Sequence, residues 1–421
     1  MTAEILFLAH RLPFPPDRGD KIRSHHVLKA LAALAPVHVA TFADSEGDWA
    51  YEGELARVSA SHCLVERKKP LPVAGLQALL KGEPVSLTAF RDAGLARYVE
   101  QLLATRPIAA IYVFSGQMAQ YVPLAFAGRV IADLVDVDSA KFEAYATEER
   151  WPMNWVDARE GRLLRAIEAQ VAALADTTLL VSDAEAELFR SRLPQPAGAQ
   201  VKTLGNGIDT TAFDPAHVIA DPSMSKAEGP RLVFTGQMDY APNVAAAQRV
   251  ISRILPIVRT HHPKATFHVV GRAPVRELLA LDGKDGVRVW GEVPDVRPFL
   301  AAADVVVTPL AIARGVQNKV LEAMAMARPV VLSQGAATGI GAADGTHFSI
   351  EETDADFAAR ICALLANRGA AQTMGHAARQ FVIDHKGWEA MLAPLAEIMG
   401  FDAKSEVKTT AKTSGRKRDA A

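Results

Sequence analysis

The sequence predicts an α/β protein of two Rossmann-like domains that face each other across an interdomain cleft. Short apolar runs alternate with stretches of helical periodicity, the pattern of a parallel sheet covered by helices. The alternation occurs twice, before and after a polar, proline-bearing stretch that follows residue 205. The 421 residues suffice for two or three domains at about 150 residues each. In such folds a ligand sits at the carboxyl ends of the strands, which directs attention to the loops that follow them.

In order along the chain, residues 5–9 are a buried-strand candidate. A loop carrying Pro13, Pro15, Pro16 and Gly19 follows, then a helix over 21–34 and a strand over 37–41. Further strands are expected at 109–114, 130–135 and 178–182, the last two separated by a helical segment over 139–175. Gly205-Asn206-Gly207-Ile208-Asp209 reads as a turn, and 214–230 as a linker. The second series has strands at 232–236, 267–271, 287–290, 305–309 and 330–333, with helices at 243–260 and 316–327. A final helix spans 370–398. The domains are therefore 1–205 and 206–379, with the helix at about 380–400 returning to the first, and a disordered basic tail over 403–421.

Composition narrows the class. Apolar residues make up 49% and charged residues 22%, with a net charge of −2, so no nucleic-acid partner is expected. The tail holds Lys404, Lys408, Lys412, Arg416, Lys417 and Arg418 against Glu406 and Asp419. It lacks apolar bulk, which favours a solvated segment. Two distant cysteines, Cys63 and Cys362, form neither a disulfide framework nor a metal-ligand spacing and fit a reducing cytoplasm. The apolar N-terminus lacks a basic n-region and a cleavage site, so it reads as a strand rather than a signal peptide. No window is long and apolar enough to span a bilayer.

The most informative stretch is Val305-Val306-Val307-Thr308-Pro309-Leu310, the loop to Arg314 and Gly315, and Val316-Gln317-Asn318-Lys319-Val320-Leu321-Glu322. A strand ends, the chain turns at Gly315, and a helix begins. Helix N-termini present free N–H groups and the positive end of the dipole, so a diphosphate is favoured there. Lys319 adds a point charge, and Glu322, three residues on, shares its helix face. A carboxylate there can accept two hydrogen bonds from a ribose diol. The alternative is an amphipathic helix with a Lys–Glu surface pair.

The run Lys319-Val320-Leu321-Glu322-Ala323-Met324-Ala325 with Arg328-Pro329-Val330-Val331 resembles the donor-site signature of family 4 glycosyltransferases, whose fold is GT-B. A narrower resemblance is to bacterial sugar transferases of exopolysaccharide and PEP-CTERM/exosortase loci. It is carried by the block from Phe7-Leu8-Ala9-His10 through Gly19-Asp20-Lys21-Ile22-Arg23-Ser24, and by Asp133-Leu134-Val135-Asp136-Val137-Asp138-Ser139. Gly236-Gln237-Met238-Asp239-Tyr240-Ala241-Pro242-Asn243 and Ala313-Arg314-Gly315-Val316-Gln317-Asn318-Lys319 add to it. The resemblance covers roughly residues 4–400. It implies a hexosyltransferase (EC 2.4) using a nucleotide-sugar donor, net retention at the anomeric carbon and no obligatory metal or other cofactor. It also implies a saccharide or polyprenyl-linked acceptor at the cytoplasmic face of the membrane, bound by the first domain, with the donor bound by the second. Glu322 then binds the donor ribose, and Gly236 lets backbone approach the diphosphate. Gly315, Gln317 and Asn318 line the same donor site. Trp290 and Val293 lie in the base-binding loop over 287–295. Gly19, with Asp20 and Lys21, forms the phosphate and acceptor loop.

The departures define the catalytic candidates. Arg314 stands where the broad family has a glutamate eight positions before Glu322, and no cation occurs among Gln237, Met238, Asp239 and Tyr240. Arg314 and Lys319 are expected to supply the charge that stabilises the leaving diphosphate. The region Phe114-Ser115-Gly116-Gln117 lacks the family's histidine, which leaves His10 as a candidate in the first domain. Asp136 and Asp138 follow a strand and alternate in direction, so one of them is expected to face the cleft. Either can position or deprotonate an acceptor hydroxyl, or hold a metal; helix capping by Asp138 or Ser139 is the alternative, as is capping by Asp20.

Arg67-Lys68-Lys69 followed by Leu71, Val73, Leu76, Leu79, Leu80 and Lys81 is either a peripheral membrane contact or a helix with a buried face. Trp151-Pro152-Met153-Asn154-Trp155 either shapes an acceptor groove or packs. A non-catalytic sugar-nucleotide-binding scaffold and a sugar-nucleotide epimerase remain the rival functions. A dinucleotide oxidoreductase is disfavoured because no Gly-x-Gly-x-x-Gly follows the first strand.

Overall fold

A computed structural model describes residues 3–148, 151–194, 200–311 and 316–401. The basic tail, Arg314 and Gly315 lie outside the described residues. The chain divides into two compact units, one formed by residues 1–206 with 392–421 and the other by residues 207–391.

Unit 1 is built on seven strands: β1 (Glu4–Ala9), β2 (Val37–Ala43), β3 (Ser61–Glu66), β4 (Ile108–Phe114), β5 (Arg129–Val135), β6 (Thr177–Leu180) and β7 (Val201–Thr203). They pair in parallel in the order β3-β2-β1-β4-β5-β6-β7. Helices cover both faces of such a sheet, which is why β1 is an unbroken buried run with Phe7 registered between Val39 and Tyr112. Strand order reverses between β1 and β4, so the chain leaves the sheet in opposite directions there and opens a crevice beyond Ala9 and Phe114.

Helix α1 (Gly19–Leu34) is fastened to β5 by a fully buried ion pair. Arg23 donates from Nε to Asp133 Oδ2 at 2.9 Å and from Nη2 to Oδ1 at 3.1 Å. Tyr112 Oη donates to the same carboxylate at 2.6 Å, and Arg23 Nη1 donates to Asn206 Oδ1 at 2.9 Å. Residues 392–401 also belong to unit 1, and the helix Leu395–Met399 lies against α1 and β5 with Leu395, Ile398 and Met399 buried.

Unit 2 has six parallel strands, β8 (Arg231–Thr235), β9 (Thr266–Val270), β10 (Val287–Gly291), β11 (Val305–Thr308), β12 (Val330–Leu332) and β13 (Ser349–Ile350). Their order is β10-β9-β8-β11-β12-β13, with the reversal between β8 and β11. Both units are thus Rossmann-like, as the alternation of strands and helices predicts.

Several elements differ from the sequence expectation. Strands β3, β7 and β13 are additional; β3 is only half-buried along nearly its whole length, so no apolar run announces it. The helix expected over 370–398 is broken into Arg368–His385, Trp388–Leu392 and Leu395–Met399. The first break lets Gly387 form a parallel bridge to Ile208, with Ile208 N donating to Lys386 O at 2.8 Å. The segment over 139–175 is likewise two helices, Asp138–Glu148 and Met153–Leu174.

Candidate functional site

In unit 2 the crevice is framed by two glycines. β8 ends at Thr235 and the chain turns at Gly236, whose φ is 152°. A Cβ there would lie 2.9 Å from Asn243 Nδ2 and 3.0 Å from Lys319 Nζ. After β9, Gly271 at φ 149° would place a Cβ 1.6 Å from the Gly236 carbonyl oxygen. Backbone conformation and close approach both require glycine at this pair.

Lys319 lies in the first turn of the helix Asn318–Ala325, which follows β11. Its Nζ donates to Asn243 Oδ1 at 2.5 Å and sits 4.9 Å from the centre of the Phe234 ring. Asn243 in turn donates from Nδ2 to the Gln237 carbonyl at 2.8 Å. Among the described residues no ion pair joins Lys319 to Glu322, which removes the surface-pair alternative. The Glu322 carboxylate accepts no hydrogen bond from the described residues. Burial pulls the Lys319 ammonium down to about 8, opposed by the Glu322 charge. Burial likewise pushes the Glu322 carboxyl up to about 6, opposed by Lys319. The arrangement presents a desolvated cation and a free acceptor on one helix face, beside backbone that a ligand can approach.

Arg272, which sequence reasoning missed, adds charge to this edge. It follows Gly271, is exposed, and donates from Nη2 to Gln237 Oε1 at 2.8 Å. A single arginine after a strand carries no pattern of its own; only its spatial neighbour Gln237 marks it. Gln317 accepts from Val320 N at 2.9 Å through its carbonyl, and Asn318 is exposed. Trp290 is directed inward. Its Nε1 donates to His268 Nδ1 at 3.1 Å, and its ring packs edge-on against Phe299. Burial and the nearby Arg231 and Arg288 charges hold His268 down at about 4, so it is neutral and its Nδ1 accepts. The side chain of Val293 also packs on the unit 2 core. The Trp290 N–H is therefore engaged within the unit and is not left for a base.

In unit 1 the crevice beyond β1 and β4 holds a charged network. His10 is buried, stacked on Phe114 with ring centres 5.8 Å apart, and its Nε2 lies 3.4 Å from Asp20 Oδ2. His10 Nδ1 has no hydrogen-bond partner among the described residues. Asp20 also meets Arg11 at 2.6 Å and Arg18 at 3.1 Å. Burial opposes ionisation of Asp20, but the His10 and Arg11 hydrogen bonds and the Arg11 and Arg18 charges outweigh it and hold the carboxyl far below its ordinary range. Asp44 binds Arg11 at 2.5 Å, Arg18 at 3.3 Å and Arg67 at 2.7 Å. Three arginines thus face two carboxylates. Asp20 anchors this network and does not cap α1, whose N-cap residue Arg18 makes no side-chain cap bond.

Two expectations for this unit are corrected. Lys21 is not a free phosphate ligand: it is buried, paired with Asp48 at 2.8 Å and bonded to the Phe14 carbonyl at 3.2 Å. Gly19, by contrast, is exposed, and a Cβ there would meet nothing within 4 Å. Asp136 and Asp138 do not face opposite ways. Both reach Lys141 Nζ, at 2.7 and 3.3 Å. Strand alternation lapses because Val135 adopts φ 68° at the centre of a γ-turn closed by Asp136 N to Leu134 O at 2.9 Å. A β-branched residue there is strained, as is Ser115 at φ 76° beyond β4. The turn is held by Glu168, which accepts from Ser139 N at 2.8 Å, and by Glu185, which accepts from Val137 N at 2.8 Å. Asp136 and Asp138 line a narrow pocket with Ser86, Gln117, Leu164 and Ile167. Among the described residues no group of three or more His, Cys, Asp or Glu side chains is placed to hold a metal ion.

Residues 229–367 match the family model described as Glycosyl transferases group 1. The chain is similar to a glycogen synthase of Mycobacterium tuberculosis, 26% identical over 267 residues that span 60% of this chain and 61% of that protein. Among solved structures, that of Anabaena Alr3699/HepE in complex with UDP and glucose superposes with a TM-score of 0.56 at 15% identity, covering 94% of this chain and 99% of that one. The sucrose-phosphate synthase of Thermosynechococcus elongatus gives a TM-score of 0.58 at 16% identity, covering 94% and 98%. At these identities the structural likeness speaks for the fold, while the family match speaks for the stretch that holds Gly236, Gly271, Lys319 and Glu322. The chain therefore has the two-Rossmann GT-B fold, and its residues 229–367 are similar to the group 1 glycosyl transferases over the stretch that the family model covers.

Proposed function

We propose that this chain moves a sugar from a nucleotide-diphosphate donor held by unit 2 to a saccharide or lipid-linked saccharide acceptor held by unit 1. The anomeric configuration is retained, no metal is obligatory, and the product serves bacterial exopolysaccharide synthesis at the cytoplasmic face of the membrane. One observation carries the donor half of this reading: among the described residues Glu322 is a carboxylate with no hydrogen-bond donor, one helical turn from a desolvated Lys319 that faces glycine backbone. The carboxylate suits a ribose diol. Lys319 suits the diphosphate, whose charge grows as the bond to the sugar breaks. Arg272 is a further cation of this edge, and Arg314 is proposed from the sequence to add to the charge. On the acceptor side Asp136 or Asp138 positions or deprotonates the attacking hydroxyl, with His10 in the charged network beyond β1 as the alternative group. The narrower resemblance of residues 7–24, 133–139 and 236–243 supports the exopolysaccharide setting.

Calorimetry with a panel of nucleoside diphosphates and sugar nucleotides tests the reading, wild type beside Glu322→Ala. Uridine donors head the panel because HepE was solved with UDP-glucose. Losing the charged acceptor is expected to weaken donor binding by about 1.5–3 kcal/mol, roughly ten- to a hundredfold. Absence of binding by every member to folded protein overturns the proposal. Donor binding without turnover, even with membrane lipid supplied, favours the non-catalytic scaffold.

Donor affinity should also be bell-shaped in pH. Glu322 accepts diol hydrogen bonds only when ionised, so affinity falls as pH drops through about 6. Lys319 attracts diphosphate only when protonated, so affinity falls again as pH rises through about 8. Calorimetric titrations across this range check it, and Glu322→Gln should abolish the acidic limb alone.

A further inference from the structure

The helix Leu71–Lys81 is mounted with its large apolar side chains outward. It packs on the protein through Ala74 and Ala78, both 0% exposed, while Val73, Leu76, Leu79 and Leu80 face solvent, Leu80 at 79%. An amphipathic helix serving only the core would point those leucines inward. A second exposed apolar group stands beside it. Trp151, Met153 and Trp155 lie at the start of the helix Met153–Leu174, Trp151 at 81% exposure. One turn beyond Trp155, Arg159 donates from Nη2 to the carbonyls of Ala78 and Glu83, at 3.0 and 3.1 Å, and so fixes this helix to the end of the leucine helix. Glu160 accepts from Val85 N, Ser86 N and Ser86 Oγ at 2.8–2.9 Å, which joins the next helix (Val85–Ala89) to the same support.

The surface carries a charge signature as well. Residues 67–81 contain Arg67, Lys68, Lys69 and Lys81 and no carboxylate. Arg67 is paired with Asp44 and Lys69 is bonded to the Thr88 carbonyl, whereas Lys68, 78% exposed and 3.3 Å from Glu66, and Lys81, exposed at the C-terminal end of the leucine helix, are the cations presented to solvent. Outward leucines, tryptophans at the margin and flanking lysines are the combination an interfacial element uses to enter an anionic lipid surface.

We infer that unit 1 docks on an anionic lipid bilayer through the helix Leu71–Lys81 and the Trp151–Trp155 turn. The pocket that holds Asp136 and Asp138 is lined by Leu164 and Ile167, further along the helix Met153–Leu174, and by Ser86 of the helix Val85–Ala89 that Glu160 ties to it. Docking therefore sets that pocket beside the headgroup layer, where a lipid-linked hydroxyl would be presented; this last step rests on the transfer reading, whereas the lipid contact does not.

The full chain, without sugar nucleotide, is sedimented with vesicles of phosphatidylcholine alone and with added phosphatidylglycerol, while tryptophan emission is followed. Wild type should partition to the anionic vesicles with a blue shift. The double variant Leu76→Ser/Leu80→Ser should lose at least about tenfold in partition, and the double variant Trp151→Ser/Trp155→Ser, which removes both tryptophans of the turn, should lose most of the blue shift. Ile219→Ser, which removes an apolar group 85% exposed on unit 2, should change neither. Calorimetric donor binding without vesicles should be the same in all four proteins, which separates this inference from the donor reading. No vesicle binding by wild type, or binding indifferent to the double substitution, overturns the inference. Equal binding to neutral vesicles overturns the part assigned to the lysines. A concentration-dependent dimer that the double substitution abolishes overturns it in favour of a second copy of the chain.

Discussion

Lys319→Ala is expected to lower turnover by about a hundred- to a thousandfold, the cost of removing one preorganised group from a developing anion. Binding of the intact donor should fall much less, because the diphosphate carries less charge before the glycosidic bond breaks. The separation is the informative part: a loss confined to affinity would make Lys319 a binding residue only. Lys319→Arg should not restore activity. The ammonium lies 2.5 Å from Asn243 Oδ1 and 3.0 Å from where a Cβ on Gly236 would stand. A planar guanidinium has no room there and a different donor geometry. Single-turnover rates at saturating donor, beside calorimetric dissociation constants for the two variants, give the answer.

Asp133→Ala should cost roughly 3–5 kcal/mol of stability, since it strands a buried guanidinium. Arg23 is 1% exposed, and its Nε and Nη2 would lose the one carboxylate they meet among the described residues. Tyr112→Phe removes one hydrogen bond to the same carboxylate and should cost about 1 kcal/mol. Denaturant unfolding followed by a probe in unit 1 measures both. The proposed donor site belongs to unit 2, so on that reading calorimetric donor affinity below the unfolding transition should stay at the wild-type value in Asp133→Ala. A loss of stability under about 1 kcal/mol would mean that water or another side chain takes over the guanidinium.

The central strands were legible because a sheet covered on both faces leaves unbroken apolar runs in the sequence, as in β1 and β11. Edge strand β3 was not: it carries Ser61, His62, Cys63 and Glu66 and is half-buried nearly throughout, so nothing in its composition separates it from a loop. At the candidate site Lys319 and Glu322 could be read from their place at a helix start, whereas Gly236 was reached only through the family resemblance, because its closeness to Lys319 is set by the fold and not by local spacing. Lys21 could not be read correctly. Its partner Asp48 lies in a short 3-10 turn whose approach to α1 depends on the packing of β2, and an ammonium looks the same in sequence whether paired or free. Alternation misled at Asp136 and Asp138 for a related reason. It assumes extended backbone, and a left-handed Val135 is not foreseeable from a residue type that avoids that region.

Unit 1 is discontinuous: the helix Leu395–Met399 that covers α1 and β5 is encoded after all of unit 2. At about 5–20 residues per second, ribosomal synthesis delivers this helix roughly 10–40 seconds after Asn206. Throughout that interval the nascent chain carries a nearly complete seven-stranded sheet whose seam for Leu395, Ile398 and Met399 is open to water. A helix encoded after unit 2 thus closes unit 1, and until it arrives the apolar seam is a surface through which the growing polypeptide can aggregate.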